Sequence, residues 1–196
     1  MKGIKMHEVY VTDKAFEKNE FIQNSLTTGE YENCIFRNCN FANGDLSASK
    51  FIDCRFEGCN LSLSTLNKTA LREVNFKDCK MLGLRFDNCL DFGLSFSFDG
   101  CQLNHCSFYR TKIRNTVFRN SQLRETDFTN CDLSNVIFDN CDLAGALFDH
   151  TILEKADFRT SYNYSLDPEI NRIKKAKFSI AGVAGLLGKY DIDIEY

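Results

Sequence analysis

The chain has only one proline, Pro168, among its 196 residues, and no serine- and glycine-rich stretch that would read as a linker. One continuous domain is therefore expected rather than two. No apolar run approaches the length that spans a bilayer, and Met1 to Tyr10 lacks the hydrophobic stretch of a signal peptide. These absences argue against a membrane protein and against secretion, so a cytoplasmic location is expected. Neither sign of charge predominates: 24 Lys and Arg face 27 Asp and Glu, a net charge of −3, which disfavours a generic nucleic-acid-binding surface. Histidine is scarce, and His7, His105 and His150 share no face with a cysteine in an obvious ligand set. There is no glycine-rich phosphate loop, no G-x-S-x-G and no H-E-x-x-H. No catalytic residue, cofactor or metal is assigned, and an enzyme is not expected.

What the sequence does contain is a ladder with a period of five. An apolar residue recurs without failure at Phe98, Leu103, Phe108, Ile113, Phe118, Leu123, Phe128, Leu133, Phe138, Leu143, Phe148, Leu153 and Phe158. Five fits neither an amphipathic helix at 3.6 nor a half-buried strand at 2, so the pattern is read as an internal repeat. Two residues before each centre the side chain is small or compact, as at Cys101, Thr116, Cys131, Val136 and Ala156; Phe96, before Phe98, is the exception. Two inward positions thus alternate with three outward ones. A chain that turns a corner every fifth residue closes a quadrilateral coil in twenty, and residues twenty apart then stack. Phe98, Phe118, Phe138 and Phe158 form one column, and Phe108, Phe128 and Phe148 another. Leu and Ile fill the two remaining columns. An earlier ladder runs from Phe16 through Phe36, Phe56 and Phe76 to Phe86 in the same way.

This pattern resembles that of the pentapeptide-repeat proteins, over about three quarters of the chain. The resemblance implies an all-β fold, a right-handed quadrilateral β-helix, to which the residues themselves add a short C-terminal helical segment. The expected divisions are an N-terminal cap over 1–15, the β-helix over 16–163 with a register change at 89–97, and a C-terminal cap or dimerisation segment over 164–196. The register change follows from arithmetic. Phe86 and Phe98 are twelve apart where two repeats take ten, and the next expected centre after Phe86 is Asp91. Two residues are inserted somewhere in Cys89 to Ser97, as a bulge or as a projecting loop.

All ten cysteines fall two before a centre or its expected position, Cys34/Cys39, Cys54/Cys59 and Cys101/Cys106 at a C-x4-C spacing included. That register answers both disulfides and zinc, because a free cysteine behaves as a small buried hydrophobe. Past Phe158 the ladder fades at Asn163. Arg172 to Phe178 reads extended and basic, and Ser179 is placed to cap a short helix bearing Ile180, Val183, Leu186, Leu187 and Tyr190. That helix can cap its own coil or pair with a copy of itself.

In the quinolone-resistance branch of the family a C-terminal segment joins two rods end to end, and the tail from Lys177 to Glu195 is similar. The resemblance implies a homodimer that occupies the DNA-binding saddle of a bacterial type II topoisomerase, DNA gyrase or topoisomerase IV, as a mimic of duplex DNA. It would thereby protect the enzyme from fluoroquinolones or modulate it, without binding nucleic acid or membrane. Residues 119–158 carry eight acids against three bases, a balance of −5. The acidic surface is assigned to Asp127, Asp132, Asp139, Asp142, Asp149 and Asp157. Against this stands the alternation of Arg119, Asp139 and Arg159 in one column, which reads as a device for register. The alternative is a repeat scaffold or interaction module with another protein partner.

Overall fold

The structure, a computed structural model, describes residues 9–21, 25–190, 192, 193 and 195. Eleven short strands are present among them: β1 (Val9–Thr12), β2 (Ala15–Glu17), β3 (Gly29–Glu32), β4 (Ile35–Arg37), β5 (Lys50–Ile52), β6 (Arg55–Glu57), β7 (Ala70–Arg72), β8 (Val74–Lys77), β9 (Phe96–Asp99), β10 (Val117–Arg119) and β11 (Ile137–Asp139). The chain coils as a right-handed quadrilateral β-helix with all pairing parallel. Numbering the faces in chain order, the first carries β1-β3-β5-β7 and the second β2-β4-β6-β8-β9-β10-β11. The third and fourth are held by isolated bridges such as Asn40↔Asn60 and Ser107↔Asp127. Partners such as Phe36↔Phe56 and Val117↔Ile137 are twenty apart, as the ladder requires.

The corners explain the five-residue period. The residue two after most centres is left-handed, as at Asn33 (φ 52), Asn38 (φ 51), Asn115 (φ 60), Asn130 (φ 58) and Asn140 (φ 52). Asn reaches that region more readily than most side chains, which accounts for its recurrence there. Lys68 and Arg110 hold the same conformation without that help. The coils above and below compensate through main-chain hydrogen bonds: Ile137 N–H donates to Thr116 C=O at 3.0 Å and Phe138 N–H to Asp157 C=O at 3.0 Å.

Inside, the rings of the second face stack from Phe16 to Phe158. Centroids are 4.7 Å apart for Phe16–Phe36, 4.6 Å for Phe36–Phe56, 5.1 Å for Phe98–Phe118 and 4.9 Å for Phe138–Phe158. On the fourth face Phe86, Phe108, Phe128 and Phe148 stack likewise at 4.5 to 5.2 Å. The two columns meet edge to face, as in Phe118–Phe128 at 6.0 Å and 81°, an arrangement favoured by the ring quadrupole.

At the junction the pairing offset grows from twenty to twenty-two, with Val74↔Phe96 and Phe76↔Phe98. The surplus lies after Leu90, whose N–H still donates to Thr69 C=O at 2.9 Å, and before Ser95, whose N–H reaches Leu71 C=O at 3.0 Å. Asp91, Phe92 and Gly93 (φ +72) are turned outward, while Leu94 returns to the core. The added length makes room for Phe96 in a position that elsewhere holds a small residue. Its ring centroid lies 5.3 Å from Phe86, 5.1 Å from Phe98 and 6.0 Å from Phe108.

The two ends differ. Of the expected N-terminal cap, residues 1–8 lie outside the described residues, and Val9–Thr12 pairs with Gly29–Glu32 as a strand of the first face. At the other end Asn163 is left-handed (φ 60) and points outward, so Tyr164 takes the inward place. The ring column extends one coil beyond the sequence ladder, because Phe178 stacks on Phe158 at 5.3 Å. The chain then crosses the end of the rod as two separate 3-10 turns, Val183–Leu186 and Gly188–Tyr190. Ser179 caps the crossing: its Oγ accepts the Gly182 N–H at 3.1 Å.

Candidate partner-binding surfaces

The rod offers little concavity. The largest depression described is an open notch of about 450 Å³ on the corner beside the insertion, between Glu73, Ser95, Ser97 and Arg114. The interior void among Leu61, Leu66, Leu71 and Phe76 is only about 10 Å³. Among the described residues no three of His, Cys, Asp and Glu are grouped to hold a metal ion. All ten cysteines are buried and free. Burial pushes the thiols of Cys54, Cys89, Cys106, Cys131 and Cys141 up to about 12, which leaves them protonated and poor nucleophiles. They act as donors instead: Cys54 Sγ reaches Tyr31 C=O at 3.2 Å and Cys79 Sγ reaches Phe56 C=O at 3.3 Å, each one coil below.

The six assigned acids do not form a stripe. Asp132 stands on the first face, Asp139 and Asp157 on the second, Asp142 on the third, and Asp127 and Asp149 on the fourth. Four are held in ion pairs: Arg114–Asp132 at 2.6 Å, Arg124–Asp142 at 2.6 Å, Arg119–Asp139 at 3.2 Å and Arg159–Asp157 at 2.7 Å. Asp132 and Asp142 are 5% and 2% exposed, so these two outward positions are in fact buried under their arginines. Burial pushes both carboxyls up. For Asp132 the Arg114 guanidinium and the Ser134 hydroxyl and amide outweigh it; for Asp142 the Asn163 amide and Arg124 do, and both carboxyls lie below the ordinary value. Of the expected register ladder, Arg119–Asp139 is present, whereas Arg159 bonds Asp157 on its own coil. The sequence reading missed a recurrent diagonal. In Arg114–Asp132, Arg124–Asp142 and Arg172–Glu154 the partners are eighteen apart: Arg114 and Arg124, one place after a centre, reach the residue one place before the centre above, and Arg172 spans the same diagonal downward to Glu154.

That leaves Asp127 and Asp149, both on the fourth face and outside any ion pair among the described residues. Asp127 Oδ1 accepts the Thr129 N–H at 2.9 Å and is half-buried, while Asp149 is exposed. Toward the C-terminal end the first face turns basic: Lys155, Lys174 and Lys175 are exposed on its last two coils.

The C-terminal segment packs on Tyr164, whose hydroxyl is buried without a hydrogen-bond partner. A Cβ on Gly182 would overlap that hydroxyl, and one on Gly185 would overlap the Tyr164 C=O, so both glycines are required by close approach. Lys189 clamps the crossing to the rod through Asp167 at 2.8 Å and Glu169 at 2.7 Å. Of the residues assigned to dimerisation, Ile180 is 96% exposed, Val183 and Tyr190 are exposed, and Leu186 and Leu187 are half-buried. No helix among the described residues is long and apolar enough to cross a membrane.

A family model described as a pentapeptide repeat region matches residues 29–97 and 94–162. No curated protein matches the sequence. Among solved structures the chain is similar to full-length QnrB1, described as a plasmid-mediated fluoroquinolone resistance protein, with TM-score 0.58 and 16% identity over 94% of this chain and 100% of that one. HetL, a pentapeptide repeat protein involved in heterocyst differentiation regulation from the cyanobacterium Nostoc sp., matches with TM-score 0.45 and 13% identity over 87% of each chain. A pentapeptide repeat protein from the Arabidopsis thaliana thylakoid lumen matches with TM-score 0.26 and 20% identity over 65% of this chain and 63% of that one.

Proposed function

The chain belongs to the pentapeptide-repeat family, and from that premise we propose that it is a non-catalytic rod that binds a bacterial type II topoisomerase, gyrase or topoisomerase IV, in place of DNA. In this reading two copies join through the C-terminal segment, and the joined rods lessen the trapping of cleaved DNA by fluoroquinolones. The observation that carries it is the likeness of shape to QnrB1 along nearly the whole chain, together with apolar side chains such as Ile180 and Val183 left exposed at the rod's C-terminal end. The filled interior supports a binding role over a catalytic one.

The sorting of the acids narrows where such mimicry acts. A carboxylate already neutralised by a guanidinium contributes little to a field that a basic groove could read. The fourth face, with Asp127 and Asp149, is therefore the contact surface in this proposal. Purified protein should inhibit gyrase supercoiling or relieve its poisoning by a fluoroquinolone, and binding should weaken steeply as salt rises. Asp127→Lys with Asp149→Lys should abolish binding while the melting temperature stays near that of the wild type. A wild-type rod that binds neither topoisomerase at low salt, or a double variant that binds equally well, overturns the proposal.

A second reading, an interaction module for a different protein, is favoured by the same pairing of Asp132, Asp139, Asp142 and Asp157, which reads as support for the rod itself.

A further inference from the structure

The inserted residues have an outer consequence as well as an inner one. Leu90 and Phe92 sit over Thr69 and Arg72 of the coil below, through the Leu90 N–H to Thr69 C=O bond at 2.9 Å and the Arg72 guanidinium against the Phe92 ring, and by register Lys112 and Arg114 belong to the coil above. Phe92 is 80% exposed and Leu90 42%, so two large apolar side chains project together from the middle of the first face. Phe92 is held in place. The Arg72 guanidinium lies over its ring at 5.3 Å, and a Cβ on Gly93 would come within 3.2 Å of Arg72 Nε, so the turn is seated on that arginine. Arg72 Nε is itself buried without a hydrogen-bond partner.

Charge and backbone both point outward here. Lys68, Arg72, Arg110 and Lys112 enter no ion pair among the described residues, whereas Arg114 is engaged by Asp132. The nearby acids are Asp91 and Glu73, and Glu73 already accepts the Ser95 hydroxyl at 2.9 Å. The ladder of the first face is also interrupted. Among the described residues no backbone hydrogen bond joins 90–95 to 112–115, although one coil higher Asp132 N–H reaches Thr111 C=O at 2.9 Å and Ile113 N–H reaches Asp132 C=O at 3.1 Å. Main-chain groups at the edge of 112–115 are thus left for another partner.

We propose that this turn is the centre of a docking surface for an extended, acidic segment of a partner protein that carries apolar residues between its carboxylates. Leu90 and Phe92 are the anchors, since exposed aromatic side chains backed by arginine are what carries interface energy. Lys112, Lys68 and Arg110 receive the carboxylates, and the interrupted ladder receives the main chain, as in strand addition to an open sheet edge. The anchors Leu90 and Phe92 lie on the first face, with Lys68 and Arg110 at its corner with the fourth, and the inference does not rest on the topoisomerase reading.

The test uses the full chain and a fluorescein-labelled decapeptide alternating Glu with Leu and Phe, followed by fluorescence anisotropy. A matching peptide with Lys in place of Glu, and a single-stranded oligothymidine, serve as contrasts. The acidic peptide should bind saturably and the other two should not. Phe92→Ser and, separately, Lys112→Glu should each weaken binding by roughly tenfold with an unchanged melting temperature. Leu63→Ser, which removes an exposed apolar side chain from the third face, should leave binding as it was. No binding at millimolar peptide, equal binding of the Lys peptide, preference for the oligonucleotide, or equal loss in Leu63→Ser overturns the proposal.

Discussion

The two halves of the rod solve the same geometric problem with different interiors. Between Phe98 and Phe158 each coil repeats one recipe, Phe on two opposite faces and Leu or Ile on the other two, and the rings interlock edge to face across the axis. Before Phe86 the recipe drifts. Tyr31, Phe36, Phe41 and Phe51 place aromatics on three adjacent faces with edge-to-face contacts between neighbours, and by Leu61, Leu66 and Leu71 three faces of one coil are aliphatic. The small void sits among those leucines. The first face is built from true strands only in this half, β1, β3, β5 and β7, and becomes isolated bridges beyond the insertion. The comparison teaches that the coil dictates the inward direction and approximate volume of each centre, while the particular side chain is free to vary as long as neighbouring columns compensate.

The sharpest way to break that comparison is to empty one site in each half. Phe128→Ala in the regular half should cost about 3–5 kcal/mol in chemical unfolding, since its neighbours on both sides are fixed rings that cannot collapse into the space. Phe96→Ala should fall at or below the low end of that range, roughly 3 kcal/mol, because the widened coil there has slack. Removing Phe92 and Gly93 together in that variant restores a period of twenty and should recover part of the loss. A double change more damaging than Phe96→Ala alone would show that the insertion has a structural role of its own.

A smaller effect separates buried carboxylates from exposed ones. Asp142→Asn should cost about 1–3 kcal/mol at neutral pH, the worth of hydrogen bonds to a charged group, whereas Asp149→Asn on the fourth face should cost almost nothing. Asp132, Asp142 and Asp157 all have carboxyl groups held below their ordinary value by arginine and other hydrogen bonds. A depressed folded value contributes stability that is complete above the unfolded value and is lost as pH falls toward the folded one. The melting temperature should therefore hold from neutrality down to about pH 4 and then decline, and Asp142→Asn should flatten that acid limb.

The corners give a smaller change still. Asn130→Val should cost about 1–2 kcal/mol through its left-handed conformation, while Asn130→Gly should be close to neutral. The least effect is expected of the thiols: native protein should react slowly with iodoacetamide, and neither reductant nor chelator should move the melting temperature. Rapid labelling of several cysteines would contradict their burial.

Much of this was legible in the sequence because the period leaves so few choices. The phenylalanine columns, the inward cysteines and the surplus of two residues all follow from counting. What counting did not supply has physical causes. The surplus could be confined to Cys89–Ser97 but not placed at Asp91–Gly93, because Leu90, Phe92, Leu94 and Phe96 alternate alike and only packing decides that the last two turn inward. Tyr164 was hidden by Asn163, which occupies the expected centre yet bonds Asp142 Oδ1 at 2.9 Å from outside. Phe178 lies twenty beyond Phe158 but follows a centre lost at Asn163 and a turn at Pro168. The acids were counted as a field because the diagonal reach of arginine, eighteen residues away, belongs to side-chain length rather than to the repeat.

The insertion also bears on how the chain finds its own alignment. A stack of near-identical layers has translational symmetry, and a layer displaced by one whole period meets almost the same neighbours, so misaligned stacks differ little in energy from the correct one. The two surplus residues act like a dislocation in such a lattice. Phe96 fits only where the adjoining layer is widened, and a shift by one coil would carry it into a place sized for Val74 or Thr116. One irregular layer thereby labels every other by its distance from it, and turns a pattern that could slide into one with a unique origin.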